Sequence, residues 1–410
     1  MSRNFLILIS IQATAAFFAV VTSFTISASL FHATGSAMVM ALTVFFQVAP
    51  RIYLSFFGGL IVDRIDVLRT IRLSNWTEAA ISIGTVVGLL AGAPITLIFW
   101  TFIVGKALVA SVKSVALQAS VKHLVDEGDY RRASGLTTGV QNFAVAAGPF
   151  AGLALFSYVG EEHLWLVFAM DTLVFLAAGL AVAGINGAET ERALARLRFR
   201  DLRVGLAHIK QRPQLRLLVG FFAAQNFFNG ICAGLIPFLL LSLQDGRPGY
   251  FAITNSAMSV AAVAGAFLAA SLSLPKRQMV TIAGATLLAA IAGRLVVGLD
   301  HLPWLIATGL AFRSLILPFG SVVNQAIWLS DTPRQIVGRV LGTRRALAQG
   351  TYPIAVLIGG ILAGPVVASN LNEVLFLFIL CGMGEILSAG YLYWRSFRKD
   401  RIESVIADST

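Results

Sequence analysis

The chain has 410 residues, of which 57% are hydrophobic and 12% charged, with a mean hydropathy of +0.81. A soluble globular domain carries about 25% charged residues, so this composition excludes one. The formal net charge of +11 would suit a nucleic-acid partner only if the bases lined one face of a soluble domain. Their placement along the chain, given below, rules that out.

In chain order, twelve mostly apolar windows are long enough to cross a hydrocarbon core, which takes about 20 helical residues at about 1.5 Å each. They run over approximately 5–30, 37–62, 73–93, 95–121, 134–158, 164–185, 214–242, 250–274, 279–299, 304–329, 340–368 and 374–396. The first is too long for a signal-peptide core and no convincing small-residue cleavage site follows it, so it is read as a span. Cys232 and Cys381 both lie inside apolar runs, which gives neither a disulfide framework nor a CxxC metal pair.

The connections alternate in character. Those after the odd spans are short, and Arg247 is their one base; the N-terminus, the connections after even spans and the C-terminal tail hold 25 of the 31 Lys and Arg. The positive-inside rule then places both termini and the central connection in the cytoplasm. That central stretch, 186–213, carries Arg192, Arg196, Arg198, Arg200, Arg203, Lys210 and Arg212, with Leu194, Leu197, Leu202 and Leu206 at helical spacing between them. A helix lying on the anionic inner leaflet accounts for the pattern.

Self-comparison at an offset of 207 residues pairs Gly58 with Gly265, Lys106 with Arg313, Ser114 with Ser321, Gln118 with Gln325, Arg132 with Arg339, Gly135 with Gly342 and Gly152 with Gly359. Small apolar matches arise by chance in so biased a chain, but Gln, Arg and Lys/Arg matches at one constant offset do not arise as readily. The expected fold class is therefore an all-α membrane protein with twelve transmembrane helices in two pseudo-symmetric six-helix halves, 1–185 and 214–396. A cytoplasmic basic linker (186–213) joins them and a cytoplasmic tail (397–410) follows. Duplicated halves of this kind are a common construction among secondary transporters.

After span two the chain reads Gly59-Leu-Ile-Val-Asp63-Arg64-Ile-Asp66-Val-Leu-Arg69, which resembles the GxxxDRxGRR signature of the major facilitator superfamily, with Asp66 in place of the usual second glycine. Span five, with Gly135, Gly148-Pro149 and Gly152, is similar to the superfamily's antiporter motif, although Ala144 and Leu153 stand where glycines are usual. The stretch from Gln325 to Pro333 and on through Gly338-Arg339 to Gly342, together with Asp66 and Met170-Asp171-Thr172-Leu173, resembles the transmembrane secretion effector group, which includes macrolide and enterobactin exporters. The resemblance implies alternating access, a bacterial inner-membrane location and export. It also implies gating roles for Gly59, Asp63, Arg64, Arg69, Gly148, Pro149, Gly152 and Arg339. Asp63, facing a helix N-terminus, would act as a latch on the cytoplasmic side, and the glycines of span five would let a neighbouring helix approach closely.

Five bases fall inside spans: Arg51, Lys106, Lys113, Arg294 and Arg313. Each costs about 2.5 to 3.5 kcal/mol at a helix centre on insertion scales, so each should face a partner, water or substrate. In the resembled fold, spans two, four and ten line the cavity, which makes Arg51, Lys106, Lys113 and Arg313 candidate substrate contacts and Arg294 structural. Gln47 lies one turn before Arg51, and Gln225 and Asn229 make a similar pair on span seven. The spans expected to line the cavity lack interior acids, whereas Glu78, Asp171 and Glu385 fall on spans expected to be peripheral. A chamber so charged favours an anionic metabolite, such as a carboxylate siderophore. The competing accounts are that Glu78 or Asp171 reaches inward and neutralises these bases, and that the cargo is a macrolide or another drug.

Nothing in the chain resembles GxxxxGK[ST], the histidines sit in loops or at span ends, and HExxH is absent. No cofactor, metal or enzymatic centre is expected. Gradient-driven transport with protons remains, and Asp171, with Glu78 beside it as a second acid, is the candidate carrier, because burial and a nearby cation pull a carboxyl's protonation in opposite directions.

Overall fold

The computed structural model describes residues 3–54, 66–125, 129–185, 199–243, 247–272, 277–299, 301–333, 336–364 and 370–408. Within them, side chains are described except at 118–119, 121–123, 130–132, 134–135, 199–202, 337–338 and 398–408. The described residues form helices and turns, as they must in lipid, where each backbone N–H and C=O needs a partner within its own segment.

The first half contributes α1 (Arg3–Thr34), α2 (Ala37–Tyr53), α3 (Val67–Leu90), α4 (Ile95–Leu124), α5 (Tyr130–Val159) and α6 (Trp165–Ala183). A short amphipathic helix, α7 (Phe199–Gln211), precedes the second half: α8 (Pro213–Ser242), α9 (Pro248–Ser271), α10 (Gln278–Ala289), α11 (Val296–Leu299), α12 (Pro303–Asp331), α13 (Val337–Gln349), α14 (Thr351–Leu362) and α15 (Leu371–Asp408). A π-helical segment, Ala290–Leu295, joins α10 to α11, so the three make one span. Ten helical stretches have the length and apolarity to cross a membrane. With the shorter apolar α2 and with α3, they fill the twelve expected positions.

Turn chemistry sets the tight returns of the first half. Gly35, Gly92 and Gly160 have φ of 56°, 71° and 68°, a left-handed conformation that glycine adopts without strain. They follow α1, α3 and α5, where the connections are shortest. On the opposite side, Asp66 caps α3 by accepting a hydrogen bond from the Arg69 backbone N–H at 2.8 Å. That role accounts for an acid where the signature has glycine.

Two compact units emerge, Met1–Gly35 with Leu42–Leu197 and Gly246–Ser256, and Ser36–Ala41 with Arg198–Asp245 and Ala257–Thr410. Helix pairing inside the first reappears inside the second. In the first, Gly148 and Gly152 of α5 sit against Val20 and Phe24 of α1, and Gly179 of α6 lies against the Trp76 ring of α3. In the second, Gly359 of α14 sits against the Ile231 backbone of α8, and Gly382 of α15 against Arg294 and Leu295. Small residues at these crossings let the helices approach closely, which is what dispersion-driven association in lipid needs.

Part of the basic linker is described as α7, which packs on the second half. Gly205 of α7 packs on Thr343 and the Arg339 carbonyl of α13, and Ile209 is buried with Leu215 and Leu218. Gly205 and Ile209 of α7 thus face protein, while Arg203 and Lys210 are exposed. At the C-terminal side, α15 runs unbroken through 397 to Asp408.

Candidate functional site

The bases inside the spans are where charge must be satisfied, and four of the five are held by acids. In the first unit, Lys106 of α4 donates to Asp171 Oδ2 of α6 at 2.7 Å, and Ser82 of α3 donates to the same oxygen at 2.6 Å. One α4 face carries Lys113 two turns further on, and its ammonium meets Glu78 of α3 at 2.9 Å. Asp171 is fully buried, and its Oδ1 has no hydrogen-bond partner among the described residues. The Phe175 ring of α6 lies against both cations, its centroid 3.6 Å from Lys106 Nζ and 4.9 Å from Lys113 Nζ.

The second unit solves the same problem with other residues. Arg313 of α12 makes a two-pronged contact with Glu385 of α15, both bonds 2.7 Å long. Arg294, in the π-helical segment, approaches Glu385 at 3.5 Å and donates to Asn229 of α8 at 2.7 Å. Arg313 also donates to the Ala289 carbonyl at 3.3 Å, at the point where α10 gives way to the π segment. Two guanidiniums thus share one carboxylate, with Arg294 and Glu385 both about fully enclosed.

These contacts correct the expectation of an electropositive chamber. Lys106, Lys113 and Arg313, read from the sequence as free for an anionic cargo, are each bound to an acid. The acids that bind them are those assigned to peripheral spans, and the alternative in which Asp171 and Glu78 reach the bases describes the first unit. Of the candidate contacts on α8, Gln225 donates to Ser388 at 2.6 Å and Asn229 accepts from Arg294 at 2.7 Å. Arg294, expected to be structural, is enclosed and meets Glu385 and Asn229. On α2, Gln47 is half-buried and Arg51 exposed; Arg51 feels the charge of Glu78 without a close ion pair to it.

Of the gating residues, Gly59, Asp63 and Arg64 lie outside the described residues. Arg69 is exposed at the start of α3, Gly148, Pro149 and Gly152 are buried in α5 where it meets α1, and Arg339 is exposed on α13. Sequence reasoning missed Glu385, Ser82 and Phe175 as members of the ion clusters. A signal for Glu385 existed. The repeat places Phe378 opposite Asp171, and Glu385 stands seven residues further along, on the same face two turns away.

Among the described residues, ten helices long and apolar enough to cross a membrane, with α2 and α3 completing two six-helix sets and a buried acid–base cluster in each set, define a multi-pass membrane protein of the repeated six-helix type. The profile of the Major Facilitator Superfamily matches residues 5–349, and the chain belongs to that family. Macrolide efflux protein A of Streptococcus pyogenes is 21% identical over 335 residues, covering 80% of this chain and 82% of that protein. Among solved structures, a bacterial homologue of the iron transporter ferroportin in its inward-facing state is similar with a TM-score of 0.73 at 12% identity, covering 97% of this chain and 100% of that one. The POT family transporter PepTSo follows at 0.70 and 12%, covering 98% and 99%. At such identities the structural likeness speaks for the fold.

Proposed function

We propose that this chain is a proton-coupled exporter in the bacterial inner membrane, with both termini cytoplasmic, and that its cargo is an amphipathic compound of the macrolide kind. The observation that carries proton coupling is the Asp171 carboxyl: enclosed, held through one oxygen by Lys106 and Ser82, with its other oxygen unbonded. A proton arriving at Oδ1 neutralises the acid and releases Lys106, so one protonation rearranges contacts among α3, α4 and α6.

Two things favour a macrolide-like cargo over the anionic siderophore. With four of five intramembrane bases already bound to acids, little free positive charge is left to attract an anion. The macrolide efflux relative, although distant, spans most of both chains. Gln47 and Arg51 of α2 remain as candidate contacts for acceptor groups on the cargo. Cytoplasmic termini and the direction of transport rest on the distribution of Lys and Arg and on the motif resemblance.

The test is uptake into inside-out vesicles energised by a pH gradient. A radiolabelled macrolide should accumulate and a carboxylate siderophore should not, and Asp171→Asn should abolish the response to the gradient while leaving the protein in the membrane. Siderophore uptake without macrolide uptake, or Asp171→Asn transport that still follows the gradient, overturns the reading.

A further inference from the structure

We infer that Phe175 is a positioning residue of the proton cycle, holding the Lys106 ammonium against its ring face during the interval when Asp171 is neutral. The inference rests on Asp171 as the proton carrier and adds what happens to the cation it releases. An ammonium freed from its carboxylate within a span, with only 14% of the Lys106 side chain exposed, needs another partner within reach. The face of Phe175 is already there, its centroid 3.6 Å from Nζ, whereas the Phe102 ring is 5.2 Å away. Such a contact is electrostatic, drawing the cation to the negative face of the ring, and it gains strength where water is excluded.

The ring is well placed to act as a fixed support. Phe175 is buried against Ala15 of α1 and Ala79 of α3, small residues that hold it in position. It sits on α6, one turn beyond Asp171, so the carboxylate and the ring face the same ammonium from one rigid helix. The charged groups acting on the cluster are Lys106 and Lys113 of α4, Glu78 of α3 and Asp171 of α6, with Arg51 of α2 acting through Glu78. From α1 the ring is faced by Ala15. Lys113 shares the ring at 4.9 Å, so Phe175 links the two ion pairs without a bond between them.

A ring that serves only to fill space would matter through its volume; a ring that holds a cation matters through its charge distribution. Fluorination separates the two, because successive fluorines weaken the negative face while altering size little. The full-length chain would carry 4-fluoro-, 3,5-difluoro- or 3,4,5-trifluorophenylalanine at 175, in proteoliposomes. The primary readout is the infrared band of the protonated Asp171 carboxyl, identified by its loss in Asp171→Asn, followed against pH. The paired ammonium already touches the ring, but its charge is then largely met by the carboxylate, so weakening the ring costs the freed ammonium more than the paired one and Lys106 stays on the ionised carboxylate to lower pH. The midpoint of the band should therefore move stepwise to lower pH, by about one unit across the series, a tenfold change in the protonation equilibrium.

Phe175→Trp, with its stronger ring face, should hold or raise the midpoint, and the pH profile of macrolide uptake should move with the band. The same fluorines at Phe102 should shift it less. A band that titrates in the unmodified protein but stays fixed across the fluorinated series overturns the role of Phe175 and leaves proton coupling intact. Absence of any titrating Asp171 band overturns both. Because the fluorinated rings keep the shape of phenylalanine, failure of a cruder Phe175→Leu variant to fold does not affect the outcome.

Discussion

Lys106 and Asp171 lie 65 positions apart, and Arg313 and Glu385 lie 72 apart, yet each pair closes at 2.7 Å. Removing one partner of such a pair strands the other at a cost of about 3–5 kcal/mol, whereas replacing both by apolar groups of similar volume is often close to neutral. Lys106→Leu should therefore lower the midpoint of thermal unfolding in detergent, and adding Asp171→Leu should recover most of the loss. Glu385→Gln should be the most damaging single change of the set, since it leaves Arg294 and Arg313 buried together without an acid; an unchanged melting midpoint would contradict this assignment of charge. At this scale the sequence showed which bases needed partners, because a cation in an apolar run stands out. It did not show which acid each base meets, because that depends on how neighbouring helices are rotated about their axes.

Helix pairing is where the duplication becomes physical. The α1–α5 crossing through Gly152 and the α8–α14 crossing through Gly359 occupy equivalent places, and the two glycines are partners at the 207-residue offset. Their tolerances differ, however. A Cβ on Gly152 would meet the Phe24 side chain at 2.9 Å, whereas one on Gly359 would meet the Ile231 carbonyl at 2.6 Å. A side chain can rotate away and a helix backbone cannot, so Gly359→Ala should cost about 1–3 kcal/mol and Gly152→Ala less, as read from melting in detergent. The clusters show the same divergence within one plan. Spans four and ten supply a base to spans six and twelve, but span three brings an acid, Glu78, where span nine brings a base, Arg294. The repeat was legible as spacing, whereas the π-helical segment that carries Arg294 was not, because one added residue per turn leaves no mark on an apolar run.

Over the whole molecule, charge placement predicts the orientation of the chain. With 25 of 31 Lys and Arg on the side that holds both termini, a green fluorescent protein fused after Thr410 should fluoresce and an alkaline phosphatase fused there should be inactive; the reverse pattern would invert the assigned topology. The class of solvent, the crossings, the duplication and the family could all be read along the chain. Each of these follows from one-dimensional quantities, namely hydropathy over a bilayer's thickness, the sidedness of bases and recurrence at a fixed offset. The tertiary structure decided whether the buried cations were free or taken. In a low-dielectric interior that is settled by contacts of less than 3 Å between side chains from different helices, and such contacts turned a chamber expected to attract anions into a set of closed acid–base pairs.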